Sequence, residues 1–131
     1  MDERIDIVDG HGNPTGETRM KSEAHRLGLL HSTVHVWCYT HDGHILLQQR
    51  GKEKETFPLL WDVSVAGHVG AGEGIEISAL REIKEEIGVD TTIGKLKKIG
   101  IFPSLQKHNE TLIDRELHHV FLLKLSIPPA V

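Results

Sequence analysis

Residues 67–89, GHVGAGEGIEISALREIKEEIGV, decide the fold of this protein. The first part of the stretch is rich in glycine. The second part predicts a helix over Ile75–Ile87, because apolar residues recur there at helical spacing. Gly88 follows the last helical residue, the position where many helices end in a left-handed glycine. A tight loop leading into an amphipathic helix is therefore the element around which we expect the domain to be built.

Three carboxylates fall on one flank of this helix, at Glu82, Glu85 and Glu86. Like charges three or four residues apart destabilise a helix by about 0.2–0.5 kcal/mol per pair. The helix dipole adds a further cost near the C-terminus. Mg²⁺ is commonly held by carboxylates together with substrate phosphates, so the flank is a candidate metal site. An exposed face of glutamates and lysines is the alternative that the helix alone leaves open.

The composition fits one domain over residues 1–131. The chain is 38% hydrophobic, which is enough for one ordinary core, and its formal net charge is −4. An acidic domain lacks the basic surface of a nucleic-acid binder, so no nucleic-acid partner is expected. The single cysteine, Cys38, excludes an internal disulfide. We expect a cytoplasmic protein with no membrane partner, since the pattern contains neither a signal peptide nor an apolar run of membrane-spanning length.

The rest of the chain predicts strands separated by turns, and one further helix over Lys21–Leu27. This order of elements predicts an α+β domain with a mixed sheet. Whether a C-terminal helix belongs to the domain is left open. The predicted strands are residues 5–8, 33–39, 45–49, 61–69, 95–102 and 116–125. The predicted turns and loops are residues 9–10, 13–16, 42–43, 51–58 and 107–115.

The opening stretch resembles the complete Nudix signature. Gly67 is followed by five residues, Glu73, seven residues, and then residues 81–89, REIKEEIGV, so every fixed position is matched. The resemblance implies a loop–helix–loop motif packed on the mixed sheet of an α/β/α sandwich. It also implies hydrolysis of a small-molecule substrate, a nucleoside diphosphate linked to another moiety, with Mg²⁺ or Mn²⁺ as cofactor.

The resemblance also assigns roles to individual residues. It implies that Glu82, Glu85 and Glu86 bind metal, and that Glu85 or Glu86 helps to activate water. Arg81 supports catalysis and pairs with Glu73, in competition with Glu85 one turn later in the helix. The structural positions of the motif are Gly67, Glu73 and Gly88, and the positions assigned to substrate binding are Arg50, Gly67 and His68.

Outside the signature, residues 3–125 resemble the isopentenyl-diphosphate isomerase-like branch of the Nudix proteins. True isomerases bind a metal through histidines and acidic residues. The matching positions here are His25, His31, His68, Asp114 and Glu116. Ordinary histidines flanking a turn are the alternative for His25 and His31. Glu116 is in addition a candidate base or metal ligand supplied from outside the helix.

One position departs from the isomerases, which carry a catalytic cysteine where this chain has Ala66. Alanine has no group that moves a proton, so hydrolysis is favoured over isomerisation. Two alternatives remain: an isomerase-like enzyme, and a non-catalytic module that binds a nucleotide. The resemblance also allows a homodimer. Trp61 is expected in the core or as a loop anchor, with base stacking as its alternative.

Overall fold

The computed structural model of the protein describes residues 2–50, 52–53 and 59–126. This part of the chain contains eight strands and two α-helices, with a short 3₁₀ turn at Ile93–Lys95. In chain order the elements are β1 (Arg4–Val8), β2 (Pro14–Met20), α1 (Lys21–Leu27), β3 (His31–Tyr39), β4 (Gln48–Gln49), β5 (Trp61–Asp62), β6 (Val65–His68), α2 (Ile75–Ile87), β7 (Leu96–Asn109) and β8 (Leu112–Lys124).

The main sheet is mixed, as the sequence predicted. Its strands run in the order β2-β1-β3-β8-β7, and β6 also pairs with β3. β3 and β8 pair in parallel over their whole common length, from His31 beside Glu116 to Tyr39 beside Lys124. The remaining pairs in this sheet are antiparallel. The parallel pair brings together two strands that lie far apart in the sequence.

The larger core lies between the sheet and α2. Alternate residues of a strand face opposite sides of a sheet, so one side of the central pair is apolar. Val36 of β3 and Phe121 of β8 contribute to this side, and Ile83 of α2 packs with them. Ile83 has no exposed surface. The opposite side of the same strands is therefore free to carry polar residues.

A smaller core fixes α1. Ala24 has no exposed surface and clusters with Ile5 and Ile7 of β1. Gly28 ends the helix in a left-handed conformation with φ 67°, where a glycine avoids the clash that a Cβ would cause. His25 lies next to Ala24, and its imidazole contacts Asp114 of β8.

The predicted helix over Ile75–Ile87 is confirmed without a shift at either end. Gly88 follows in the left-handed region with φ 70°, and its N–H donates to the Lys84 carbonyl. The left-handed backbone conformation at the end of the helix therefore explains why the motif has glycine at this position. The predicted helix over Lys21–Leu27 is confirmed as well.

The predicted polar loop over residues 107–115 is wrong. β7 and β8 continue as a long antiparallel hairpin, and the turn is confined to the residues around Glu110 and Thr111. Asn109 stabilises the turn, since its Oδ1 accepts from the Thr111 N–H at 2.8 Å. The polar residues here alternate along an exposed ribbon, and their low hydrophobicity conceals the strand. Glu116 consequently lies well inside β8 and does not begin it.

Three other predicted elements also need correction. The turn predicted over residues 13–16 lies earlier, because Pro14 is the first residue of β2, a strand position that proline tolerates. The strand predicted over residues 45–49 is reduced to Gln48–Gln49 and an isolated bridge at Ile45. The strand over residues 61–69 divides into β5 and β6. Apart from residues 52–53, the loop predicted over residues 51–58 lies outside the described residues.

We predict that Ile83→Ala lowers the free energy of unfolding by about 2–5 kcal/mol, the usual cost of a cavity in a packed core. Ile77→Ala in the same helix is the matched control, because Ile77 is 52% exposed. Urea unfolding followed by circular dichroism measures both changes. An equal loss in the two variants would show that the core does not lie beneath Ile83.

Candidate active site

Gly67 is the point where β6 and α2 approach most closely. A Cβ built on Gly67 would lie 2.2 Å from Cδ of Glu82, far inside van der Waals contact. Glycine is therefore required at this position, and the Glu82 carboxyl packs directly on the β6 backbone. This contact turns Glu82 toward the cavity described below and away from solvent.

Glu86 lies one helical turn after Glu82 and is partly buried with it. Burial and the neighbouring Glu82 carboxyl raise the pKa of Glu86. In the orientation that satisfies both of its amide atoms, Gln48 donates to Glu86 Oε1 at 2.7 Å. Glu86 Oε2 is buried and has no hydrogen-bond partner among the described residues. Two adjacent, partly buried carboxyls of this kind suit a divalent cation.

Arg81 joins the loop to the helix. Its Nε and Nη2 donate to the two oxygens of Glu73 at 2.7 and 2.9 Å, and Nη1 donates to Glu82 at 2.9 Å. Nη2 also reaches the His68 carbonyl at 3.3 Å. Arg81, together with hydrogen bonds from Ser78 and the Gly70 N–H, lowers the pKa of Glu73 to about 2. The pairing of Arg81 with Glu73 is the one that the signature implied.

Glu85 is placed differently from the other two glutamates. Its side chain is 58% exposed, and it accepts from Arg81 Nη1 at 3.2 Å. Of the three glutamates only Glu82 lines the cavity. Glu86 lies behind it, partly buried beside Glu82, whereas Glu85 is exposed on the outer side of Arg81. The predicted roles of Glu85 in catalysis and metal binding stay predictions.

A second set of ligand-type side chains lies beside this helix. It consists of three histidines and two acidic residues whose candidate donor atoms all lie within 4.8 Å of one another. They come from α1, β3, β6 and β8. We call this set the five-residue cluster. Its members are His25, His31, His68, Asp114 and Glu116.

The histidines of the cluster point their Nε2 atoms at a common point. His31 Nδ1 lies 3.0 Å from the Leu29 carbonyl, which leaves Nε2 as the atom facing the cluster. The Nε2 atoms of His25, His31 and His68 are buried and form no hydrogen bond with a described residue. His25 Nε2 lies 2.9 Å from Asp114 Oδ1, which is likewise without a hydrogen bond. In a metal-binding histidine, one ring nitrogen usually binds the ion while the other donates a hydrogen bond that fixes the ring. The Nε2 and Nδ1 atoms of His31 fit these two roles.

The two carboxylates complete the cluster. Burial alone would raise the pKa of Glu116, but the neighbouring imidazoles of His118, His31 and His68 hold it below its usual value. His118 Nε2 lies 2.8 Å from Glu116 Oε1, so the other oxygen, Oε2, faces His31 and His68 at 3.5 and 3.4 Å. Glu116 is therefore a carboxylate, as a cation ligand must be. The nearby Asp114 carboxylate raises the pKa of His25, and binding of a cation by His25 requires its neutral form.

The cluster and the glutamate helix open into one cavity of about 870 Å³. Glu82 and Gly67 line it, together with every cluster member except the fully buried His31. Arg50, predicted to bind substrate, also lines this cavity and pairs with Asp62 at 3.2 Å. Trp61 lies at the cavity too, 66% exposed, so its expected place in the core is wrong; the alternative, stacking on a ligand, stays open.

The structure also adds residues to the site that sequence reasoning missed. They are Thr33, His35, His118 and Lys21, all of which line the cavity. The signal was present in the alternation of β3 and β8, since Thr33 and His35 follow His31 at a spacing of two and His118 follows Glu116 likewise. Only the parallel pairing of the two strands, absent from the sequence pattern, shows that they share one face.

Residues 29–129 match the NUDIX domain family. The chain belongs to the Nudix family. Over 129 residues it is 35% identical to Nudix hydrolase 3 of Arabidopsis thaliana, covering 97% of this chain and 17% of that protein. It is 34% identical to isopentenyl-diphosphate Delta-isomerase 2 of Photorhabdus laumondii, covering 100% of this chain and 72% of that protein. The resemblance to the isomerase-like branch of the Nudix proteins is thereby confirmed.

Solved structures support the Nudix fold. A crystal structure of a Deinococcus radiodurans protein matches with a TM-score of 0.70 and 24% identity, over 97% of this chain and 75% of that one. The Escherichia coli dihydroneopterin triphosphate pyrophosphohydrolase matches with a TM-score of 0.60 and 24% identity, over 76% and 70% of the two chains. At this sequence identity the two structures show a shared fold and nothing about activity. They confirm the predicted α+β class.

The structure does not test the predicted cellular location or the predicted oligomeric state. No helix among the described residues is both long and apolar enough to span a membrane. The cytoplasmic location and the homodimer stay predictions. The chain spans 17% and 59% of the first two relatives it matches, the second being an uncharacterized Nudix hydrolase of Clostridium acetobutylicum.

We predict that Glu73→Gln lowers the free energy of unfolding at pH 7 by about 3 kcal/mol, because folding lowers the pKa of Glu73 from 4.5 to about 2. A lowered pKa stabilises the fold above pH 4.5. The stabilisation is lost as the pH falls from 4.5 toward 2, so the difference from the wild type should shrink in that window.

Urea unfolding at pH 7 and at pH 3 measures this effect. Glu110→Gln is the control, since the Glu110 side chain is 90% exposed and its contact with Lys107 contributes little. A difference between wild type and Glu73→Gln that is the same at both pH values would contradict the role of Glu73.

Proposed function

We propose that the protein hydrolyses a diphosphate linkage in an organic diphosphate such as a nucleoside diphosphate derivative, with divalent metal ions bound in the cavity. One observation carries the proposal: Glu82 of the glutamate helix and four members of the five-residue cluster line the same cavity. Diphosphate chemistry needs cations on the phosphoryl oxygens, and two adjacent cation sites meet this need.

The donor types of the two sets suit different ions. Glu82 and Glu86 offer only oxygen, the donor that Mg²⁺ prefers. The five-residue cluster combines three imidazole nitrogens with carboxylate oxygens, which suits Mn²⁺ or another transition metal better than Mg²⁺. Its buried, unpaired Nε2 atoms fit an ion at their centre. Mg²⁺ and Mn²⁺ are therefore the cofactors we assign.

The chain's own residues then have distinct tasks. The bound cations supply charge neutralisation of the diphosphate and a more acidic water. Glu82, held against Gly67, fixes the position of the glutamate site. Glu86 Oε2 is the buried acceptor beside it, placed to take the proton of the attacking water. Arg81 positions Glu82 by a hydrogen bond, and Arg50 lies at the cavity as a cation for the phosphates.

Isomerisation of a prenyl diphosphate is the second candidate, because the chain resembles isopentenyl-diphosphate isomerases along its whole length. It requires a side chain at the substrate carbon that moves a proton. Ala66 lines the cavity at the position of the isomerase cysteine and has no such group. A binding module without catalysis is disfavoured by the intact set of helix glutamates. Hydrolysis is the reaction that the residues present can perform.

We predict that the wild type with Mg²⁺ hydrolyses at least one compound in a panel of nucleotide sugars, dinucleoside polyphosphates, ADP-ribose, nucleoside triphosphates and prenyl diphosphates. Glu82→Gln and Glu86→Gln should each lower kcat at least about 100-fold, the size of effect seen when a catalytic proton acceptor is removed. Glu76→Gln, in the first turn of the same helix, should retain wild-type activity. Chromatography of the phosphorylated products measures turnover in the wild type and the three variants.

Two outcomes would count against the hydrolase. One is the absence of turnover on the whole panel, with either Mg²⁺ or Mn²⁺. The other is full activity in both Glu82→Gln and Glu86→Gln. Exchange of an allylic proton in labelled prenyl diphosphate, without phosphate release, would favour the isomerase instead.

We predict that His31→Ala weakens Mn²⁺ binding at least tenfold, since it removes a nitrogen donor that the Leu29 carbonyl orients. Electron paramagnetic resonance of free Mn²⁺ measures the dissociation constant. His44→Ala is the control, because the His44 side chain is 76% exposed and outside the cluster. Unchanged Mn²⁺ affinity in His31→Ala would remove the cluster from the metal assignment.

A further inference from the structure

Three polar side chains form the part of the cavity surface next to the five-residue cluster. They are Thr33 and His35 of β3 and His118 of β8, and we call them the polar floor. Thr33 lies opposite His68 in β6 and beside His118 in β8. His35 lies opposite Ala66. If the cluster holds the phosphates of a substrate, the group attached to the diphosphate therefore lies against the polar floor.

Thr33 carries a hydroxyl that nothing in the described part of the chain satisfies. The residue is only 3% exposed, and its Oγ1 is buried without a hydrogen-bond partner among the described residues. Most buried side-chain polar atoms in proteins have at least one partner. Thr33 lines the cavity, and rotation of its side chain would present the unpaired hydroxyl to a ligand bound there.

His35 and His118 extend the polar surface. Their rings stack with centroids 4.2 Å apart. Burial and the neighbouring His118 lower the pKa of His35 to about 4, so at pH 7 its ring is neutral and offers one donor and one acceptor. His118 is engaged with Glu116 at 2.8 Å. Thr33 and His35 are thus neutral groups with hydrogen-bonding capacity.

We propose that the polar floor binds a hydroxylated, sugar-like group attached to the diphosphate, and that Thr33 and His35 thereby determine specificity against hydrocarbon chains. This inference rests on the proposed function of the cavity. A hydroxyl group satisfies a neutral donor and acceptor together. A hydrocarbon chain would leave the buried Thr33 hydroxyl and the His35 ring unpaired, which disfavours it by about tenfold per group. A further phosphate gains little here, since neither group is cationic.

The test compares two non-hydrolysable ligands that differ only in hydroxyl groups, the 2,3-dihydroxypropyl and propyl esters of methylenediphosphonate. Calorimetry with Mn²⁺ present gives their dissociation constants. We expect the wild type to bind the dihydroxypropyl ester at least tenfold more tightly. Thr33→Val and His35→Phe should each remove most of this preference by weakening the dihydroxypropyl ester alone. Thr33→Ser, which keeps the hydroxyl, should retain it.

Several outcomes would overturn the assignment. Equal binding of the two esters, or no binding of the dihydroxypropyl ester, would contradict a polar subsite. An equal loss on both esters in Thr33→Val, or weaker Mn²⁺ binding in that variant, would make Thr33 a residue that positions water or metal. Because the ligands are not cleaved, these results are independent of hydrolysis. A failure of the hydrolase proposal would appear separately, as absence of phosphomonoester products from hydrolysable diphosphates.

Discussion

The pairing of Arg81 with Glu73 is the interaction on which the site depends. It fastens the glycine-rich loop to α2 by two charge-assisted hydrogen bonds, and the same guanidinium also holds Glu82 and the His68 carbonyl. One side chain therefore sets both the glutamate helix and the strand end that supplies His68. Bidentate arginine–carboxylate pairs add geometric precision as well as strength, which is what two adjacent cation sites require.

The parallel pairing of β3 with β8 is the second constraint. It places His31 beside Glu116 and Thr33 beside His118, although these residues lie far apart in the sequence. One face of the pair is apolar and packs under α2, while the other carries the cluster and the polar floor. Because successive side chains of a strand face opposite sides, the same two strands supply core residues on one face and site residues on the other. Loss of register by one residue would exchange the two faces.

The sequence predicted the parts of the fold and site that local patterns encode. Ile75–Ile87 was found at both ends because its periodicity and Gly88 are local signals. The structural role of Gly67 was implied only by the family resemblance, and its close approach to Glu82 was not predicted. The strands over residues 95–102 and 116–125 were predicted, but their continuation into a long hairpin was missed because the added part of β7 is mostly polar and exposed. Thr33 and His35 were missed because their significance depends on a parallel pairing that no short pattern encodes.

We propose that one Nudix cavity holds two metal ions, one at the five-residue cluster and one at the helix glutamates. Anomalous diffraction from a crystal soaked with Mn²⁺ and a non-hydrolysable diphosphate locates bound Mn²⁺ in this cavity. We expect one peak bonded to the Nε2 atoms of the cluster histidines, and a second beside Glu82 and Glu86. A map with no peak among the five residues, at full Mn²⁺ saturation, would contradict the account.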